Sequence, residues 1–72
     1  MKKRLAKDAD SAYAILFGDP PVTDECWFDE VGLPVTIGWD RYRFEDACGY
    51  LQAHGRITLR YTAGGKGHVV RQ

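Results

Sequence analysis

Cys26, Cys48, His54 and His68 are four potential zinc ligands, enough for one tetrahedral site. Structural zinc sites usually draw their ligands in close pairs such as CxxC or HxxxH, because one short turn must aim two side chains at one ion. Here the two nearest, Cys48 and His54, stand six positions apart, so the spacing argues against a metal. The same two residues make a poor thiol–imidazole couple, since that separation on a helix points them to different faces. Ser11, the only serine, lacks a glycine-flanked elbow, and the adjacent acids Glu45 and Asp46 diverge on a helix. Gly64-Gly65-Lys66-Gly67 suggests a phosphate cradle, but a P-loop needs GxxxxGK[ST] between a strand and a helix. His68 follows here, and then a strand-like segment. The expectation is a non-enzymatic protein with no metal and no cofactor.

The remaining chemistry is charge and aromatic surface. Ten Lys/Arg balance ten Asp/Glu, so the formal net charge is zero. That excludes a uniformly basic nucleic-acid binder and a uniformly acidic mimic of one. The charges are nevertheless sorted. Asp19, Asp24, Glu25, Asp29, Glu30 and Asp40 fall in a stretch with no Lys or Arg, whereas Arg56, Arg60, Lys66 and Arg71 fall in a C-terminal stretch with no acid. Trp27, Phe28, Trp39, Tyr42 and Phe44 crowd into 18 positions. Most belong in the core of so small a chain, with Trp39 and Tyr42, between charged neighbours, as candidates for an interface.

Certain elements must position these groups. Leu5, Ala9, Ala12, Tyr13 and Leu16 recur at helical spacing, predicting a first helix over 4–17 that Gly18-Asp19-Pro20-Pro21 stops. Thr23 is placed to cap a short second helix over 24–31, with Asp24 and Glu25 at its positive end. Gly32-Leu33-Pro34 would end it. Val35–Trp39 reads either as a short strand or as an extended loop. Phe44, Ala47, Cys48 and Leu51 predict a third helix over 41–54, capped by Asp40 and closed by Gly55. Arg56–Thr62 alternates strictly, and Ala63–Gly67 forms a glycine-rich tip before a return strand over 68–71, with His68 solvated beside the tip. On that hairpin Arg56 and Arg60 share a face and, with Lys66 and Arg71, can neutralise phosphates.

A helix ending in glycine, a strand, a glycine-rich tip and a second strand resemble the end of a winged helix-turn-helix domain. Leu51, Gly55, Ile57, Arg60, Gly64, Gly65 and Gly67 carry the likeness, over about 29 of the 72 residues. The resemblance implies a single small α+β domain, winged-helix-like, with two to three helices and a C-terminal β-hairpin. It implies a regulatory or accessory protein that binds double-stranded DNA through the third helix and the hairpin. Arg41, Arg43 and Gln52 would then face base edges, with Tyr50 nearby, and Arg56, Arg60, Lys66 and Arg71 phosphates, His68 lying on the wing. The chain departs from the pattern in two places. Leu33–Trp39 lengthens the usual tight turn, and four acids stand where phosphates often run. Those departures support an alternative, a compact protein-binding inhibitor or adaptor of the mobile-element type, anti-CRISPR-like in size. It would meet a basic partner surface through Asp24, Glu25, Asp29, Glu30, Trp39 and Tyr42.

Other bounds are brief. No run approaches the roughly 18–20 apolar residues of a membrane span. The basic start, Met1-Lys2-Lys3-Arg4, is followed by residues too charged for a signal peptide. The expectation is a cytoplasmic chain with two free, buried thiols, whose modest core a homodimer or partner would supplement.

Overall fold

The computed structural model describes residues 2–72. Met1 and the side chains of Lys2 and Lys3, part of the N-terminal basic run, lie outside that description. Three helices and three strands follow in the order α1 (Lys2–Phe17), β1 (Glu25–Asp29), α2 (Gly32–Thr36), α3 (Arg41–Ala53), β2 (Ile57–Tyr61) and β3 (Lys66–Arg71). The strands form one antiparallel sheet in the order β1-β3-β2. This is the expected small α+β domain, with three helices and a C-terminal β-hairpin joined by a third strand. Among the described residues, no helix is long and apolar enough to cross a membrane.

Helix α1 buries Ala9, Ala12, Leu16 and Phe17. Small side chains at two of these positions let α3 approach closely, and α3 answers with Phe44, Ala47, Cys48 and Leu51, its predicted apolar face. Asp40 caps α3 as expected, its Oδ1 accepting from the Arg43 N–H at 3.0 Å. Gly55 follows at φ 69°, the left-handed turn that ends the helix. Ile57 of β2 and Val69 of β3 complete the core from the sheet side.

Two predicted elements are replaced. Residues 24–31 form no helix; their first part is β1, paired to β3 from Glu25↔Val70 to Asp29↔Lys66. Thr23 caps nothing. Its hydroxyl donates to the Glu25 carbonyl at 2.9 Å and lies 3.4 Å from the Glu25 N–H. The strand wins because Cys26 and Phe28 turn inward while Glu25, Trp27 and Asp29 turn out, a period of two stabilised by a ladder to residues far along the chain. The strand option for Val35–Trp39 fails in turn. Gly32-Leu33-Pro34, expected to end a helix, begins one. Asp29 Oδ1 accepts from the N–H groups of Val31 and Gly32, both at 3.0 Å. Pro34 sits in the first turn, where its missing N–H costs nothing. Gly38, at φ 75°, then closes the turn with an N–H bond to the Val35 carbonyl at 3.1 Å.

Gly67 is a third correction, being a buried interior residue of β3 rather than part of the hairpin tip. It stands between Phe28 on β1 and Tyr61 on β2. The Phe28 ring lies over it, so that a Cβ there would fall 2.3 Å from Cζ. Phe28 also meets Phe44 edge-on at 5.4 Å, which ties the sheet to α3. Gly67→Ala is expected to cost roughly 1–3 kcal/mol by overpacking in denaturant unfolding. Gly64→Ala, at an open turn position with nothing nearer than the Thr62 hydroxyl at 4.0 Å, is expected to change stability by no more than about 0.5 kcal/mol.

Candidate functional site

Four of the five arginines predicted to contact DNA are bound to carboxylates of the same chain. Arg43 reaches Asp8 on α1 through two parallel bonds of 2.9 Å, and its guanidinium lies 4.1 Å over the Trp39 ring. Arg41 contacts Glu30 and Glu45, each at 3.0 Å. Arg56 bonds Asp10 at 2.9 Å and covers the Tyr13 ring. Arg71 donates to Asp24. Gln52 is also engaged, its Oε1 accepting the Leu59 N–H at 2.8 Å. Of the seven predicted contacts, Arg60 and Lys66 alone make no side-chain ion pair or hydrogen bond among the described residues.

The residues proposed for a protein partner are dispersed as well. Asp24 and Glu30 are the arginine partners just named. Asp29 holds the start of α2, and the backbone bonds from Gly32 and Val31 keep its carboxyl below the usual carboxylate range. Trp39 is half-buried between Phe44 and Arg43. Tyr42 is 73% exposed on α3. The hollow between the N-terminal ends of α1 and α3 sets Arg4 and Arg43 against Asp8, Asp40 and Asp46, so neither sign of charge dominates it.

The cysteines and histidines are scattered, and among the described residues no three potential metal ligands gather. Cys48 is buried, which pushes its thiol up to about 12. Cys26 is free and half-buried rather than buried. His54 lies against Tyr50 at the end of α3, with ring centroids 4.2 Å apart and planes tilted by 32°.

His68 is the surprise. It is half-buried in β3 rather than solvated beside a tip, and its ring stacks on Trp27 of β1 with centroids 4.2 Å apart and planes 21° from parallel. Its Nε2 lies 3.0 Å from a Glu25 carboxylate oxygen, too far off the N–H axis for a hydrogen bond. Antiparallel pairing aligns Trp27 with His68 and His68 with Arg60. The three side chains therefore form one row across the outward face of the sheet, about 10 Å wide at ordinary strand spacing. Glu25 and Val70 flank the row on one side, Asp29 and Lys66 on the other. Trp27 is 56% exposed. Sequence reasoning missed this row because it placed Trp27 in a helix. The alternation Glu25, Trp27, Asp29 was the available signal, needing only a strand on which to fall.

Comparison with family models, with curated proteins and with solved structures returns no match to this chain.

The Asp8–Arg43 pair makes a further prediction. Arg43 hydrogen bonds hold the Asp8 carboxyl below its ordinary value against the opposing effect of burial. A carboxyl lowered in the folded state stabilises the fold above its unfolded pKa, and that stabilisation is lost as pH falls through the folded one. Urea midpoints measured from pH 6 to pH 2 should therefore fall more steeply for the natural chain than for Asp8→Asn. The variant should be the less stable of the two at pH 6.

Proposed function

We propose that this chain is a protein-binding module, an adaptor or inhibitor, whose contact surface is the open face of the sheet. One observation carries this: an exposed indole, already fixed against His68 at 4.2 Å, with Arg60 next in the row. Trp and Arg are among the residue types that dominate binding hot spots. A ring held in place by a stack has little conformational freedom left to lose on binding. Exposed apolar surface also favours association when a partner removes it from water.

The charge arrangement favours a protein over a duplex. Duplex affinity comes largely from releasing counterions as Lys and Arg neutralise phosphates. Arg41, Arg43, Arg56 and Arg71 already have carboxylate partners, and moving them to phosphates would strand those acids. Glu45 and Asp46 add negative charge to α3 itself.

Affinity capture with the natural chain, Trp27→Ala and Tyr42→Ala tests the proposal, folding being verified by circular dichroism. The expected result is a specific protein partner that Trp27→Ala weakens by roughly 30-fold, the scale of a 2 kcal/mol hot spot, and that Tyr42→Ala retains. Fluorescence anisotropy of a mixed-sequence duplex at 50 mM salt runs in parallel. Duplex binding at about 100 μM protein or below, weakening steeply with salt, would be non-specific DNA binding of ordinary strength and would overturn the proposal.

A further inference from the structure

We infer that the outer edge of β1 receives an extended, basic segment of the partner as an antiparallel fourth strand. This inference rests on the protein-binding reading and gives the partner a chemistry.

The sheet order leaves β1 and β2 at the edges. At the two ends of β1, the Asp24 carbonyl accepts from the Arg71 N–H at 2.8 Å and the Glu30 N–H donates to the Gly65 carbonyl at 2.9 Å. Antiparallel ladders alternate, so residues 24, 26, 28 and 30 face β3, and the backbone groups of Glu25, Trp27 and Asp29 point away from it. The Thr23 hydroxyl occupies Glu25. Trp27 and Asp29 are left at an open edge, with the weak thiol donor of Cys26 at 3.6 Å from the Trp27 carbonyl. The opposite edge is shut at its centre, where Gln52 takes the Leu59 N–H.

The side chains beside the open edge select what can pair there. Glu25, Trp27 and Asp29 are all exposed on one face. A second copy of this chain, paired antiparallel about Trp27, would set Glu25 of each copy against Asp29 of the other. Like charges directly opposite destabilise a strand pair. A strand with Lys or Arg two residues to either side of a central aromatic residue meets both acids and lays its aromatic beside the indole. Backbone bonds supply the affinity in this mode and alternate side chains the specificity.

The probe is the capped peptide Thr-Lys-Val-Tyr-Val-Lys-Thr, titrated into the ¹⁵N-labelled chain. The expected result is saturable movement of the Trp27 and Asp29 amide signals. Replacing both peptide lysines by glutamate should weaken binding at least 10-fold, as should methylating the central tyrosine nitrogen. Glu25→Lys leaves one base and one acid beside Trp27 and should abolish the preference between the two peptides. Unmoved Trp27 and Asp29 amides at millimolar peptide would overturn the inference. So would equal binding of the methylated peptide, or a dimer of the chain joined through β1. Unmoved amides together with a partner still lost in Trp27→Ala would remove the edge and leave the face. No partner sensitive to Trp27 at all would remove both.

Discussion

The Asp8–Arg43 pair sets the frame on which the rest of the molecule hangs. Asp8 is only 8% exposed, the one charged residue among the described ones that is buried to this degree. It sits beside Ala9 on the face of α1 that meets α3. A carboxylate there is tolerable because a guanidinium fork meets both of its oxygens. That fork fixes the start of α3, where Asp40 caps the helix and Trp39 folds back under the same guanidinium. The two helices are thereby locked to each other, and an arginine that a solvent-facing helix could have offered to a ligand is withdrawn.

The contact of Phe28 with Gly67 does the equivalent work for the sheet. Phe28 enters the core only because β3 presents no side chain opposite it. With Phe28 inward, its neighbour Trp27 must face outward, and Gly67 inward puts His68 outward beside it. The stack on the open face is thus the outer side of the same packing that closes the inner one. Changes made to the core at this point would be felt at the surface.

The sequence was most legible where structure is local. α1, α3 and the terminal hairpin follow from three- and two-residue periods, and Asp40 and Gly55 mark the ends of α3 as capping chemistry says they should. β1 was hidden because Thr23, Asp24 and Glu25 imitate a helix start. Only pairing with β3, more than thirty residues away, makes the strand the better choice. α2 was hidden by the β-branched run Val35-Thr36-Ile37, overruled by the Asp29 cap and by Pro34 in the first turn. The site suffered from the same distance problem. The sorting of charge along the chain was plain, but the carboxylates that neutralise Arg43, Arg56 and Arg71 lie 35, 46 and 47 positions away. Segregation in sequence became pairing in space. No composition argument reveals that.

Gln52 was expected to read a base edge, and instead its amide oxygen seals the middle of β2. The consequence is one of valency. Sheets with two usable edges can add units without limit, which is the route to fibres. A sheet with one edge plugged keeps a single edge of its own at which another strand can pair. One glutamine thus makes the two sides of this sheet unequal, and leaves the fold one place rather than two for strand addition.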